Sequence, residues 1–194
     1  MDKKNLQQIE SVIDYHFSDV DLLNEAFTHS SFADNRLESN ERLEFLGDAV
    51  LDLVICQSLF ERFSDYLEGD LTKIKSMLVS RVTCAKLANE MKLNEFIKVG
   101  KGMEANDSIS KSVAAGVFES VIGAIYLDGG LDVTREFIRR VFDSLVTEAD
   151  AEQHQNNFNR CCSNTLKTTW TQRRCMNFLM KKGPTIISVS RPQS

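Results

Sequence analysis

Apolar residues recur at intervals of three and four along most of the first 150 positions, the spacing of one face of an α-helix. This pattern predicts helices near residues 5–16, 20–27, 40–63, 70–92, 110–128 and 131–147. Both prolines lie near the end, at positions 184 and 192, so no proline interrupts these segments. No alternating pattern long enough for a strand appears before residue 150. The sequence therefore predicts an all-α domain.

Polar residues and glycines mark where these helices begin and end. Asn40 and Asp70 are predicted N-caps, because their side-chain oxygens can accept a backbone N–H of the first turn. Gly129 and Gly130 are predicted to end the fifth helix, since glycine readily adopts the left-handed conformation found at helix ends. The stretches THSSFADNRLES and GKGMEANDSIS are predicted to be polar loops.

The character of the chain changes near residue 148. Residues 151–194 carry seven Lys or Arg and one acid, whereas residues 1–150 carry 16 basic and 27 acidic residues, a formal charge of −11. We interpret residues 1–147 as the folded domain, and residues 148–194 as a linker and a basic, irregular tail that is predicted to be disordered. An electrostatic arm for nucleic acid is the alternative interpretation of the tail. The acidic body suits a protein that collects cations.

Composition narrows the class of protein. No run of about 18 apolar residues is present, so no membrane span is expected. The opening MDKKNLQQIE lacks the apolar segment of a signal peptide. The five cysteines form no Cys-x-x-Cys pair. They indicate reduced thiols and a cytoplasmic location rather than a disulfide or zinc framework.

The segment NERLEFLGDAVLDLVI carries a stripe of acids. At about 100° per residue, Glu41, Glu44 and Asp48 fall within about 60° of one another on a helix. A solvated face is the ordinary interpretation of such a stripe. A cluster of oxygen ligands for Mg²⁺ or Mn²⁺ is the second, because no Lys or Arg follows Glu44 or Asp48 at the spacing that relieves repulsion. Gly47 would also let another backbone or a ligand approach closely.

A second segment, KSVAAGVFESVIGAIYLDGG, is apolar nearly all round and predicts a buried helix. Glu119 lies inside this run, where an ionised carboxylate is costly unless it is paired or bound to a metal. A partnered core acid and a metal ligand are both open interpretations of Glu119. Gly123 lies one turn later on the same face and again allows close packing.

These segments resemble the ribonuclease III family. NERLEFLGDAVLDLVI is similar to the family's signature motif, and ESVIGAIYLDGG is similar to its second acidic helix. The stretches AFTHSSFADN, EGDLTKIKSMLVSRVTCAKLA and GKGME also fall in family order, so that the resemblance spans roughly residues 5–147. It implies an all-α nuclease domain that dimerises and cuts double-stranded RNA with Mg²⁺, for which Mn²⁺ can substitute. Such enzymes act in RNA processing, ribosomal RNA included.

The resemblance also implies roles for individual residues. Glu44, Asp48 and Glu119 match metal-binding acids, with Asp48 and Glu119 as catalytic residues. Glu41 matches an acid that shapes the site. Phe45, a large aromatic beside the acids, matches a residue that plugs into the partner subunit of a homodimer. Packing inside its own domain is the alternative for Phe45.

Two departures from the family pattern affect the expected function. The family carries Asp three residues before the second-helix Glu, and this chain has Gly116 there. Loss of such an acid typically weakens metal binding or activity by about 10–100-fold. The tail does not resemble the double-stranded-RNA-binding module found in bacterial relatives. Read one base out of frame near residue 159, permitted codons allow a segment that resembles this module, so a frameshifted module and a native basic arm are both hypotheses.

The sequence thus predicts an endoribonuclease that cleaves double-stranded RNA by metal-dependent hydrolysis and is impaired by Gly116. The alternative is a catalytically weak or inactive homologue that binds RNA or dimerises. A di-iron helical bundle is excluded, because no Glu-x-x-His pair is present. His29 is expected to be structural rather than catalytic.

Overall fold

The computed structural model describes the backbone of residues 2–100 and 111–181, and the side chains of residues 2–100 and 111–149. Within these ranges no strand forms, and the predicted all-α fold class is confirmed. The elements in chain order are α1 (Lys3–Ile13), α2 (Val20–Ala26), a 3₁₀ helix (Arg36–Glu38), α3 (Glu41–Arg62), α4 (Glu68–Leu78), α5 (Arg81–Glu90), a second 3₁₀ helix (Leu93–Phe96) and α6 (Lys111–Lys181). The chain divides into two compact units, Met1–Asp150 and Ala151–Ser194.

Residues 111–129 of α6, here called the central segment, form the middle of the first unit. Side chains on all of its sides are buried, as the all-round apolar pattern predicted. The stretch Lys111–Ala149 is long and apolar enough to cross a membrane, but 67% of its most apolar window is buried inside the protein. That burial is the property of a core helix. The fully buried apolar residues of the central segment include Ala114, Ala115, Val117, Phe118, Val121, Ile122, Ala124 and Ile125.

Helix α3 crosses the central segment at two glycines. A Cβ atom on Gly47 would lie 1.7 Å from the backbone oxygen of Glu119. A Cβ atom on Gly123 would lie 2.4 Å from the backbone oxygen of Leu43. Neither distance leaves room for a carbon atom, so the two helices touch backbone to backbone. The close packing predicted for Gly47 and Gly123 is confirmed.

The single helix predicted over residues 70–92 is wrong, because the structure has two helices there, α4 and α5. Ser80 lies between them in an extended conformation, with φ −66° and ψ 148°. Its hydroxyl accepts the Thr83 N–H at 3.2 Å, which caps α5. The apolar spacing continues across this break, and the pattern alone therefore did not reveal it.

Neither predicted N-cap residue caps its helix through its side chain. Asp70 lies in the first turn of α4, whose N-cap position is Leu67. Asn40 occupies the N-cap position of α3 but forms no side-chain capping bond. Its dihedrals, φ −66° and ψ −7°, are already helical, whereas a capping side chain reaches the first-turn N–H groups from an extended residue. The Asn40 carbonyl instead accepts the Glu44 N–H at 2.8 Å.

Gly130 interrupts α6 with φ 79° and ψ 179°, a conformation that side chains rarely allow. The predicted end of the fifth helix is thus confirmed as a kink. Just before it, the Asp128 carboxylate accepts hydrogen bonds from the Tyr15 hydroxyl at 2.6 Å, the Ser18 N–H at 2.9 Å and the Asp19 N–H at 2.8 Å. These bonds tie the segment between α1 and α2 to the kink.

The second unit has a helical backbone as far as Lys181. The described backbone is thus helical where the sequence analysis expected an irregular tail, and the disorder of residues 148–194 stays a prediction. No glycine or proline occurs between Gly130 and Gly183, so no residue type in this stretch strongly opposes a helix. Residues 182–194 and most of the predicted loop GKGMEANDSIS lie outside the described residues.

The backbone contact between α3 and the central segment predicts that a side chain at Gly47 destabilises the fold. Replacing Gly47 by alanine should lower the free energy of unfolding by about 3 kcal/mol, because the added carbon must push α3 away from the central segment. Urea denaturation followed by circular dichroism measures this change. Gly69→Ala is the control, since a Cβ atom there meets nothing within 4 Å and Ala should stabilise helix α4 by up to about 1 kcal/mol. Equal stability of Gly47→Ala and the unaltered chain would contradict the backbone contact.

Candidate functional site

The helix crossing brings the predicted site acids to one place. Glu44 and Asp48 flank Gly47 on α3, and the backbone of Glu119 lies against Gly47 itself. Their side chains line one open cavity of about 490 Å³. The full set of residues that lines this cavity is Glu41, Glu44, Phe45, Asp48, Val79, Arg81 and Glu119. All four acids predicted from the sequence are therefore in the same site.

Glu119 is the buried acid of the cavity, with 7% of its surface exposed. Burial, together with the negative charges of Asp48 and Glu44, raises the pKa of the Glu119 carboxyl to about 7. The positive charge of Arg81 and a hydrogen bond with the Cys84 thiol oppose this rise. Near neutral pH this carboxyl therefore holds a proton part of the time in the absence of a cation.

Glu44 is half-buried and covers the position of the missing family acid. Burial raises the pKa of its carboxyl, the charges of Glu41 and Asp48 add to the rise, and Arg81 opposes it. A Cβ atom on Gly116 would lie 2.6 Å from Oε2 of Glu44. The space that a side chain at position 116 would need is therefore occupied by the Glu44 carboxylate.

Glu41 is held by a neighbouring cation. Arg36 donates to both carboxylate oxygens of Glu41, from Nε to Oε2 at 2.7 Å and from Nη2 to Oε1 at 2.9 Å. These hydrogen bonds hold the pKa of the Glu41 carboxyl below its usual range. A carboxylate engaged in this way is suited to fixing the wall of the cavity, as the site-shaping assignment expects, rather than to holding a metal ion.

The remaining polar residues near the stripe divide between the site and its surroundings. Asp48 is exposed at the cavity. Asp52, one turn further along α3, instead forms an ion pair with Lys75 at 2.7 Å. His29 lies in the loop before α3, where its Nδ1 is 2.9 Å from the Ser31 hydroxyl and accepts the Ser31 N–H at 3.1 Å. These bonds are those of a structural histidine.

The acids share a cavity without forming a finished ligand set. Within residues 2–100 and 111–149, no group of three or more His, Cys, Asp or Glu side chains is arranged to hold a metal ion. Like charges at short range repel one another, so carboxylates that share a cavity separate unless a cation lies between them. The ligand roles of Glu44, Asp48 and Glu119 stay a prediction.

The sequence analysis missed two residues of this site, Arg81 and Cys84. Arg81 was placed inside a continuous helix, but the break at Ser80 makes it the first residue of α5 and directs it to the cavity. Recognition of Ser80 and Thr83 as a capping pair would have found this helix start. Cys84 is fully buried beside Glu119, and burial raises the pKa of its thiol to about 12, with the charge of Glu119 adding to the rise. No sequence signal marked it.

Phe45 projects from α3 with 81% of its surface exposed. Packing inside its own domain, the alternative considered for this residue, is therefore wrong. Two further apolar side chains of α3 are also exposed, Leu53 at 55% and Phe60 at 74%. At about 100° per residue the three lie within about 80° of one another and form an apolar stripe beside the acids.

Comparison with known proteins agrees with this architecture. A family model described as Ribonuclease-III-like matches residues 19–145. Ribonuclease 3 of Rhodopirellula baltica is 48% identical over 134 residues, which make up 69% of this chain and 50% of that protein. Ribonuclease 3 of Oleidesulfovibrio alaskensis is 44% identical over 142 residues, 71% of this chain and 62% of that protein. The chain thus spans between half and two thirds of the length of these curated relatives.

Solved structures give the same result. The nuclease domain of ribonuclease III from Campylobacter jejuni, described for structural flexibility in its region involved in dimer formation, superimposes with a TM-score of 0.69 and 39% identity. The match covers 72% of this chain and 97% of that one. Dicer from Pichia stipitis matches 70% of this chain with a TM-score of 0.55 and 26% identity. The family model covers more than half of the chain and the acids lie where the signature helices cross: this chain belongs to the ribonuclease III family.

Proposed function

We propose that this chain is an endoribonuclease of the cytoplasm that hydrolyses double-stranded RNA with Mg²⁺ or Mn²⁺, as in the processing of ribosomal RNA, and that the glycine at position 116 reduces its activity. The observation that carries this proposal is the shared cavity of Glu44, Asp48 and Glu119 at the crossing of two helices. Relatives named Ribonuclease 3 support the reaction class.

The residues of the cavity fit a divalent cation. Carboxylate oxygens are the protein ligands that Mg²⁺ prefers, and it commonly takes one or two of them together with waters. Burial, and then the charge of neighbouring acids, raises the pKa of the Glu44 and Glu119 carboxyls, so a cation in the cavity would favour their ionised forms. Glu44, Asp48 and Glu119 would hold the ion, and Glu41, held by Arg36, would support the wall.

When bound, a divalent cation supplies an activated water and neutralises charge on the leaving oxygen of the phosphodiester. The protein holds the ligands in position, and one of them, the Glu119 carboxyl, can also bind and release a proton. The Glu119 carboxyl, with a pKa near 7, must release its proton before both of its oxygens can act as anionic ligands. The family resemblance assigns Glu119 and Asp48 to catalysis, and they come from the two helices that meet at Gly47.

A second candidate function is a weakly active or inactive homologue that binds RNA or dimerises. The observation that favours it is the arrangement at Gly116, where the Glu44 carboxylate occupies the space of the family acid. Such a protein would keep the helix crossing and the exposed apolar stripe while lacking part of the ligand set. Cleavage of a long RNA duplex distinguishes the two functions directly.

We expect weak cleavage of a long RNA duplex that improves in high Mn²⁺ and increases by about 10-fold or more in the variant Gly116→Asp, because a carboxylate returns to the site. The new side chain requires the Glu44 carboxylate to move, and the end of a flexible side chain can do so at low cost. Gly116→Asn is the matched control, since it adds nearly the same volume without charge. Full activity of the unaltered chain in Mg²⁺ would show that the glycine is harmless, and no cleavage in any metal would favour the second candidate.

Glu119 should reduce stability in the absence of a cation. Its raised pKa means that the folded state binds more protons than the unfolded state between about pH 4.5 and 7, so stability falls as pH rises through this window. Glu119→Gln in EDTA should therefore raise the free energy of unfolding at pH 8 by on the order of 3 kcal/mol, and by much less at pH 5. Urea denaturation at the two pH values measures this. Glu90→Gln, an exposed change on α5, should have little effect, and a pH-independent gain in Glu119→Gln would contradict the assignment.

We also propose that the chain is a homodimer whose interface includes Phe45. A soluble monomer rarely exposes several large apolar side chains in one stripe, and α3 exposes Phe45, Leu53 and Phe60. A two-fold axis through this face would set two cavities on one side of the dimer, as cleavage of the two strands of a duplex requires. The Campylobacter nuclease domain, described for its dimer-forming region, supports this proposal.

Sedimentation velocity tests the interface. The unaltered chain should sediment as a dimer at micromolar concentration, and Phe45→Asp should sediment as a monomer because a charge cannot be buried there unpaired. Phe32→Asp is the control, since Phe32 is 53% exposed but lines a different cavity. A monomer in the unaltered chain, or a dimer that survives in Phe45→Asp, would remove Phe45 from the interface.

A further inference from the structure

Arg81 is the cation of the acidic cavity. Among the described residues that line the cavity, it is the single Lys or Arg, against four acids. Its side chain is exposed, so a large ligand can reach it. Its Nη1 donates to the Ser112 hydroxyl at 3.0 Å, which holds the guanidinium between the start of α5 and the start of the central segment. The resemblance to the ribonuclease III family assigns no role to Arg81, and Arg81 is not among the proposed metal ligands.

The described part of the cavity carries more negative than positive charge. Glu41 is neutralised by Arg36. Glu44, Asp48 and Glu119 together carry a charge of −3 when ionised. These acids, on a body whose formal charge is −11, repel an approaching phosphodiester. Arg81 places a positive charge among them, which favours the approach of a phosphate.

The guanidinium also has the right shape for this ligand. Its five N–H donors lie in a planar fork that matches two oxygens of a phosphate, and one donor is engaged by Ser112.

We propose that Arg81 binds a phosphate of the RNA strand at this cavity. This inference rests on the proposed function, because it takes RNA as the ligand. Arg81 is a substrate-binding residue in this account, and Ser112 positions it. The competing role is that of an internal counter-ion that only keeps Glu44 and Glu119 ionised.

The two roles predict different effects on duplex binding. The test compares the full unaltered chain with Arg81→Gln, Arg81→Lys and, as the control, Lys86→Gln. Lys86 lies on the same helix and pairs with Glu90 at 3.7 Å, away from the cavity residues. Affinity for a long RNA duplex is measured at several salt concentrations with Ca²⁺ in place of Mg²⁺. Affinity for Mn²⁺ is measured without RNA by isothermal titration, and circular dichroism verifies the fold of each variant.

If Arg81 binds phosphate, Arg81→Gln should lower duplex affinity by about 10-fold and reduce the slope of log affinity against log salt by about one. Its Mn²⁺ affinity should be unchanged or higher, because a competing positive charge is gone. Arg81→Lys should lose a smaller part of the duplex affinity, because it keeps the charge but not the bidentate fork. Lys86→Gln should match the unaltered chain in both measurements. If Arg81→Gln misfolds, the same comparison is made with Arg81→Lys, whose weaker duplex binding at equal Mn²⁺ affinity would support the loss of the bidentate contact.

Unchanged duplex affinity in Arg81→Gln would overturn the proposal, whatever its Mn²⁺ affinity, since it assigns Arg81 to the acids alone. Absence of cleavage by the unaltered chain in Mg²⁺ and in Mn²⁺ would instead contradict the proposed enzymatic function. The duplex affinities would still decide the role of Arg81 in that case, so the two failures are distinguishable.

Discussion

The contact between the backbones of Gly47 and Glu119 is the constraint on which the site depends. Helices that pack through side chains keep their axes about 8–10 Å apart. Here a glycine on each helix removes the side chains between them, and the carbonyls of Leu43 and Glu119 lie against Gly123 and Gly47. The acids flank these glycines in sequence, so the helix crossing alone determines how closely their carboxylates approach.

Carboxylates that lie so close together repel one another, and neighbouring side chains reduce this repulsion. The bidentate ion pair with Arg36 neutralises the charge of Glu41. Glu119 is buried with two acids nearby and responds with a pKa near 7. Arg81 opposes the rise in the pKa of both Glu44 and Glu119. Neighbouring side chains thus offset part of the repulsion among the acids, and the divalent cation that we propose for the cavity would offset more of it.

Features whose cause is local in the chain could be predicted from the sequence. Glu119 was recognised because a carboxylate in an apolar run is costly, and Gly47 because glycine opposes a helix unless something approaches it. The break at Ser80 was not recognised, since apolar spacing continues through it, and Arg81 was lost with it. The contact of Glu44 with the space above Gly116 joins residues far apart in the chain, and only the folded structure gives their distance.

The central segment also fixes the order in which the protein can fold during synthesis. Residues 111–129 supply the middle of the core, yet they leave the ribosome after α1 to α5 have already emerged. The bonds from Tyr15, Ser18 and Asp19 to Asp128 close loops of more than a hundred residues and likewise wait for this segment. Contacts so distant in sequence make folding slow and leave apolar faces uncovered meanwhile. The aliphatic side of α3 that packs on this segment thus stays uncovered in the nascent chain until residues 111–129 have been translated.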